Sequence, residues 1–166
     1  MRAITTKAED KITTADIECG LANYFRPRVN MLIPNVSWGF GIHECDVLVI
    51  TKSGYLYEVE IKISASDLKR DADKPHKHES KKIKNLYFAI PYYLLSLIDY
   101  IPARAGVLSF NKRPMPLLVR EPISQATNKI TDKELLTLYR LAALRVWDLK
   151  RANTKLQKEA SANESI

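Results

Sequence analysis

The stretch from Glu44 to Ile63, ECDVLVITKSGYLYEVEIKI, decides the expected fold. Two runs rich in β-branched and aromatic residues flank a loop that ends in Gly54, so the stretch predicts a β-hairpin. A three-residue loop over 52–54 would place Gly54 in the left-handed conformation that closes such a turn. This loop sets Asp46 opposite Glu60, whereas a two-residue loop would send Asp46 to the other face of the sheet.

The hairpin concentrates charge on one face. Side chains alternate along a strand, so Glu58, Glu60 and Lys62 share a face, and Asp46 joins them from the neighbouring strand. Two opposed carboxylates repel, and Lys62 relieves only part of that repulsion. A divalent cation such as Mg²⁺ would explain the pair, and Lys62 would then orient water or neutralise charge at a phosphate. The alternative is a solvated sheet face with a Glu–Lys ladder.

Composition predicts one basic, folded domain. The chain has 166 residues, 46% of them hydrophobic, with a formal net charge of +7 and a pI of about 9.4. The charge favours an anionic partner such as nucleic acid. Two cysteines, Cys19 and Cys45, indicate free thiols in a reducing compartment. The longest apolar run, 92–101, is too short to span a bilayer, and the N-terminus does not resemble a signal peptide, so we expect a cytoplasmic protein without membrane contact.

The remaining chain predicts an alternation of helices and strands. Thr13 and Asp16 can cap a first helix that ends at Arg26. Glu18 lies along the apolar stripe of that helix, either as a functional acid or as a boundary residue that reaches solvent. Further strands are predicted at 29–38, weakened by Pro34 and therefore an edge or broken strand, and at 86–90, 105–110 and 116–120. Further helices are predicted from a cap at Ser64, over 92–100, and from a capping box of Thr131 and Glu134 to about 151.

A basic segment follows the hairpin. Residues 69–84 are rich in Lys and Arg and contain Pro75, with little apolar surface. They predict a helix start, a mobile loop around 73–78 and a second short helical piece. Such a segment suits contact with a phosphate backbone, or it is a solvated lysine run. His76 and His78 lack a cysteine or acid at supporting spacing, so we do not expect them to bind metal.

The order of elements and the motifs resemble a known superfamily. The spacing Asp46…Glu60-Ile61-Lys62 is similar to that of the PD-(D/E)xK nucleases. More narrowly, 59–68, then Asp71, Lys74, 86–91 and 105–108, resemble the MmcB-like family of DNA-repair-associated nucleases. The similarity covers about 44–110, and Cys45 stands where the superfamily's name has proline.

This resemblance implies an α/β fold of the restriction-endonuclease type. Its αβββαβ core would have a central mixed sheet flanked by helices, with an added C-terminal hairpin and long helix. The domain would cover 1–152, followed by a polar, flexible tail over 153–166.

The resemblance also implies a function: a Mg²⁺-dependent DNA phosphodiesterase, with Mn²⁺ as a substitute, in DNA repair, restriction or mobile-element processing. Asp46, Glu60 and the Ile61 carbonyl would hold the metal, Lys62 would be the catalytic lysine, and Glu18 the acid of the first helix. Glu58 adds a third acid to the same face, which leaves open how the ligands are shared.

The predicted substrate contacts are Lys69, Arg70, Lys74, Lys77, Lys81 and Lys82. The expected partner is DNA, with no small-molecule cofactor, and a homodimer is compatible with the sequence. The alternatives are a nucleic-acid-binding module that keeps the fold without turnover, and a protein whose basic surface meets an acidic protein.

Overall fold

The structure, a computed structural model, describes residues 11–36, 41–73 and 78–163. Several sequence predictions lie outside these ranges: the end of the first strand at Trp38, the residue His76, and the substrate contacts Lys74 and Lys77. The fold is α/β, with one six-stranded mixed sheet, helices packed against it and a long C-terminal helix.

The elements follow the predicted order. They are α1 (Thr14–Phe25), β1 (Met31–Val36), β2 (Cys45–Ile50), β3 (Leu56–Ile61), α2 (Ala65–Ala72), β4 (Ile83–Pro91), a 3-10 helix (Tyr92–Tyr100), β5 (Gly106–Phe110), β6 (Leu117–Arg120) and α3 (Asp132–Asn163). The strands lie side by side in chain order. Strands β3, β4 and β5 are parallel to one another, while the other neighbouring pairs are antiparallel.

The predicted hairpin between β2 and β3 is confirmed. Gly54 has a φ of 83°, the left-handed conformation that the three-residue loop requires. The Thr51 N–H donates to the Tyr55 carbonyl at 2.8 Å, and Leu48 lies opposite Glu58. Glu58 and Glu60 therefore lie on the same face of β3, as predicted.

The sheet has two covered faces. Val59 and Ile61 of β3 pack in one cluster with Ile17, Leu21 and Phe25, so α1 lies on that face. The opposite face is covered by α2 and the 3-10 helix through a second cluster. That cluster is made by Leu68, Leu86, Phe88, Ile90, Leu94, Ile101, Ala105 and Val107. Because side chains alternate along β3, Glu58, Glu60 and Lys62 point toward this second side.

The predicted caps of the helices are present. The Thr13 and Asp16 side chains form a full capping box at α1, and Ser64 Oγ accepts from the Asp67 N–H at the start of α2. Thr131 and Glu134 exchange the corresponding bonds before α3. These side chains satisfy N–H groups that the helices leave unpaired.

Two boundaries differ from the sequence predictions. Strand β4 begins at Ile83 rather than residue 86, because Ile83 is fully buried in a cluster with Leu138 and Leu141 of α3. Residues 79–82 form no helix, and a turn at 81–82 leads into the strand. Helix α3 continues to Asn163, well past the predicted end near 151. Its last two turns are polar, yet good helix formers such as Lys, Gln and Ala extend it.

The first strand is an edge strand, as Pro34 predicted. Proline has no N–H to donate, which suits the outside of a sheet. Asn35 follows it with a φ of 52°, a local irregularity in the strand. Among the described helices, none is long and apolar enough to cross a membrane.

Candidate metal centre and charge network

The second face of the sheet holds a group of buried charges. Glu58 and Glu60 of β3 are 0% and 2% exposed, and Lys62, directly after the strand, is 6% exposed. Two more buried polar residues meet them, Asp71 from α2 and His78 from the segment before β4. Ionised groups are rarely buried unless each one is paired, so their contacts decide what the site can do.

Lys62 joins two of the acids. Its Nζ lies 2.8 Å from Glu60 Oε2 and 3.0 Å from Asp71 Oδ1. Helix α2 places Asp71 there because Leu68, one turn earlier, anchors the helix in the core. The ammonium group therefore ties the end of β3 to α2.

His78 joins the acids from the other side. Its Nδ1 lies 2.8 Å from Glu58 Oε1, and its Nε2 lies 2.7 Å from Asp71 Oδ2. The ring packs edge-on against Phe88, with centroids 5.5 Å apart, and its backbone carbonyl accepts from the Arg104 guanidinium. The result is a continuous chain of contacts from Glu60 through Lys62, Asp71 and His78 to Glu58.

This arrangement shifts the titration of its members. Burial raises the pKa of Glu60 to about 7, although the charge and hydrogen bond of Lys62 oppose the shift. Burial alone would lower the pKa of His78, but its bonds to Asp71 and Glu58 outweigh that effect and raise the pKa to about 9. Burial likewise opposes the charge of Lys62, yet its contact with Glu60 raises the net pKa above its usual value. At neutral pH, Lys62 and His78 are therefore cations.

Two carboxylate oxygens of the group remain available as hydrogen-bond acceptors or metal ligands. Glu58 Oε2 and Glu60 Oε1 are buried without a hydrogen-bond partner among the described residues. Glu58, Glu60 and His78 each offer one ligand atom, and these atoms lie within 4.8 Å of one another. Buried, unsatisfied anionic oxygens beside an imidazole nitrogen fit a divalent cation.

An opening leads toward this group. A cavity of about 370 Å³ is lined by Asp71 and His78 together with Tyr100 and Arg120. It reaches two members of the buried group, and a metal site requires such an approach.

Asp46 lies just beyond the last described pair of the β2–β3 ladder, whose register is the predicted one. The paired register of β2 and β3 is described as far as Val47 and Val59, one residue short of the predicted Asp46–Glu60 pair. Asp46 Oδ2 accepts a 2.7 Å hydrogen bond from the Ile61 N–H. Its charge still contributes to the raised pKa of Glu60. Asp46 thus borders the site, but it is not one of the three clustered ligand atoms, and the contact described for Ile61 is its N–H rather than its carbonyl.

Glu18 is not brought to the acids of β3. Helix α1 packs on the Val59 and Ile61 side of the sheet, the side away from Glu60. Its buried face is formed by Ile17, Gly20, Leu21 and Phe25, and Glu18 lies beside this face, partly exposed. The prediction placed Glu18 on the apolar stripe, but the stripe is rotated toward Ile17.

The predicted basic contacts are divided between two edges of the sheet. Lys69 and Arg70 are exposed on α2, which follows the end of β3 that carries Lys62. Lys81 and Lys82 precede β4, and Lys82 Nζ pairs with Glu134 Oε1 at 2.7 Å. Because β3 and β4 are parallel, Lys81 and Lys82 lie at the edge opposite to Lys62. They are therefore unsuited to the phosphate that Lys62 would contact.

His78 is the residue that the sequence argument missed. It was set aside because no acid stands at ligand spacing in the local sequence, yet its partners come from β3 and α2, up to 20 residues away. The predicted mobile loop likewise ends at a residue that is 1% exposed. The one signal in the sequence is Asp71, which stands three residues after Leu68 and so on the same side of α2. An acid on the buried side of a helix requires a positively charged partner in the interior.

Comparisons with known proteins support the fold and leave the function open. No family model matches the chain, and no curated protein matches it significantly. The chain is similar to the solved structure of SPO1766, a protein of unknown function from Silicibacter pomeroyi. The identity is 17%, the TM-score is 0.59, and the match covers 85% of this chain and 90% of that one. At this identity the likeness concerns the fold alone.

Proposed function

We propose that the chain is a divalent-metal-dependent phosphodiesterase that acts on DNA, built on a restriction-endonuclease-like fold. Support for the fold comes from the αβββαβ order, in which β2 carries Asp46, β3 carries Glu60, and Lys62 directly follows β3. Support for the partner comes from the formal net charge of +7.

One observation carries the proposal. Three acids are buried around Lys62 and His78, and one oxygen each of Glu58 and Glu60 has no hydrogen-bond partner among the described residues. A buried charge without full compensation costs several kcal/mol in stability. A chain under pressure only for stability would replace such acids with apolar residues, so the cost is best explained by a ligand that needs them.

The ligand set points to a particular class of ion. Glu58, Glu60 and His78 supply two carboxylates and one imidazole, whereas Mg²⁺ prefers oxygen ligands. Imidazole suits transition metals, so Mn²⁺ fits this set better than Mg²⁺. To bind the ion through Nδ1, His78 would have to lose the Nδ1 proton and its hydrogen bond to Glu58. The affinity for metal would therefore depend on pH.

The protein side chains would have separate roles. When bound, the ion would polarise the scissile phosphate. Lys62, held as an ammonium group by its acidic partners, cannot act as a general base; it would neutralise the phosphate and donate a hydrogen bond to the attacking water. Asp71 would hold both Lys62 and His78 in position, and Asp46 would fix the main chain at Ile61.

A second function is favoured by the burial of the same residues. Glu58 and His78 are at most 1% exposed, and Lys62 and His78 already neutralise much of the negative charge. A nucleic-acid-binding module that keeps this network as a structural element, without turnover, would look the same.

Metal binding and cleavage distinguish the two functions. We expect Mn²⁺ to raise the melting temperature of the protein and to support cleavage of plasmid DNA, and we expect Ca²⁺ not to support cleavage. Glu60→Gln should abolish both effects of Mn²⁺. Glu159→Gln, the same change at an exposed site on α3, is the matched control and should leave both intact.

The outcomes separate cleanly. Salt-sensitive DNA binding without cleavage in any metal would favour the non-catalytic module. Retention of the Mn²⁺ effects in Glu60→Gln would show that the ion binds elsewhere, and the metal centre would be abandoned.

A further inference from the structure

The carboxyl ends of three parallel strands meet at one edge of the sheet. They belong to β3, β4 and β5, and ligands of open α/β sheets bind outside such ends. Lys62 directly follows β3, Tyr92 and Tyr93 follow β4, and residues 111–113 follow β5. We call this the carboxyl edge.

The register fixes how these ends are arranged. The Lys62 N–H donates to the Ala89 carbonyl at 3.1 Å, and Pro91 lies opposite Phe110. Strands β3 and β5 are two strand spacings apart, about 10 Å. A nucleic acid strand carries one charge per ~3.4 Å along its axis, so a few consecutive nucleotides would span this edge.

Cations gather at one end of the carboxyl edge. Lys112 and Arg113 are exposed in the turn after β5, and Lys11 is exposed before α1. These three line a cavity of about 410 Å³. Asn23 and Pro114 also line the cavity, and the Asn23 Nδ2 donates to the Pro114 carbonyl at 3.0 Å.

One acid also lines the cavity and lowers its charge. Asp16 accepts hydrogen bonds from the Thr13 N–H and Oγ1 as part of the α1 cap. Those bonds lower the pKa of Asp16, and Lys112 adds to the effect. The cavity therefore keeps an excess of two positive charges, which favours an anionic ligand.

Two tyrosines follow β4, the strand between β3 and β5, so in strand order they stand between Lys62 and the cations after β5. Tyr92 and Tyr93 are 49% and 41% exposed, and their rings meet edge to face with centroids 5.5 Å apart. The Tyr93 hydroxyl donates to the Ile63 carbonyl at 3.5 Å, which links it to the residue after Lys62. Exposed aromatic rings beside cations form stacking platforms for unpaired bases.

We propose that the carboxyl edge binds single-stranded DNA. Tyr92 and Tyr93 stack on bases, while Lys11, Lys112 and Arg113 contact the phosphates on the side away from Lys62. A duplex would hide the base faces that the tyrosines need, so a single strand or an unpaired end is the favoured form. The proposal rests on the proposed function in taking DNA as the substrate.

The test is a binding assay in which cleavage is absent. A short labelled oligonucleotide, as a single strand and as a duplex, is titrated with the protein in EDTA at several salt concentrations. Tyr92→Leu with Tyr93→Leu keeps apolar bulk but removes the stacking rings; we expect single-strand binding to weaken about fivefold or more. Lys112→Ala with Arg113→Ala should lower the slope of log K against log salt by about 1.4, since each phosphate contributes about 0.7 on single strands.

The matched control removes the same charge at the opposite edge. Lys52 lies in the β2–β3 turn, and Lys133 lies in the first turn of α3. The two are at the same end of the sheet, because the Ile130 N–H, just before α3, donates to the Gly54 carbonyl of that turn. Lys52→Ala with Lys133→Ala should change the salt slope far less than the Lys112 and Arg113 pair. Circular dichroism and thermal melts confirm that each variant is folded.

Equal loss in both alanine pairs, unchanged binding by the leucine pair, or preference for the duplex would overturn the proposal. These outcomes are distinct from failure of the nuclease. Single-strand binding that depends on the carboxyl edge, without cleavage in any metal, supports this proposal and refutes catalysis. Cleavage with normal binding by the edge variants does the reverse.

Discussion

Replacement of Lys62 with methionine would expose the strength of the buried charge network. Methionine keeps most of the side-chain volume but removes the ammonium group that lies 2.8 Å from Glu60 and 3.0 Å from Asp71. Both carboxylates have side chains only 3% exposed, so water cannot take the place of the lost cation. Breaking a buried ion pair by removing one partner costs about 3–5 kcal/mol. Because domains are stable by only about 5–15 kcal/mol, the variant would lose a large share of its stability.

The assay is urea unfolding at pH 7 in EDTA, which keeps metal from masking the effect. Lys62→Met with Glu60→Gln removes charge from both partners, so we expect it to be more stable than Lys62→Met alone. Arg70→Met is the exposed control. Its guanidinium lies 3.5 Å from Asp67, and its side chain is 76% exposed, so it should cost less than about 1 kcal/mol.

The result that would refute this reasoning is specific. If Lys62→Met lost no more stability than Arg70→Met, the contacts of Lys62 with Glu60 and Asp71 would not be formed in solution. The network would then give no support to a metal centre at this place.

Three other perturbations test the same structure. The pKa values of Glu60 (about 7) and His78 (about 9) are raised in the folded protein without metal, so the folded state keeps protons that the unfolded state releases at lower pH. The free energy of unfolding should therefore fall from about pH 4.5 to 7 through Glu60 and from about pH 6.5 to 9 through His78. Urea titrations of His78→Gln should lack the second fall. Truncation after Ala152 removes side chains that are exposed up to residue 161, so the melting temperature should stay nearly unchanged, and a large drop would show that the end of α3 is packed. Gly20→Ala would place a Cβ 2.6 Å from the buried ring of Phe110, and we expect a loss of about 1–3 kcal/mol in urea unfolding; no loss would mean that α1 sits farther from β5.

The hairpin could be predicted because its determinants are local. Gly54 fixes the turn, and the turn fixes the register, so the common face of Glu58, Glu60 and Lys62 followed from counting residues. The caps at Thr13, Ser64 and Thr131 were predictable for the same reason. A cap and a tight turn each depend on side chains within a few residues of one another.

The rest of the site depended on distant contacts. His78 has a φ of 56° and reaches Glu58 across 20 residues of chain, and no local pattern indicates such a placement. The lysines around it make the segment look solvated, which hides the inward turn of His78. The register set by the turn puts Asp46 in line with Glu60, as predicted, but the hydrogen bond from the Ile61 N–H to Asp46 depends on where the ladder ends, which residue counting does not give.

The proline at the edge of the sheet has a consequence for assembly. β1 is an outer strand, and Pro34 and the left-handed Asn35 interrupt its free backbone. A second chain approaching this side would meet a missing donor and a bend where it needs an even row of partners. On the β1 side the sheet is thereby protected against pairing with a second chain, so two copies would have to meet at β6, the other outer strand, or at a helical surface such as the exposed flank of α3.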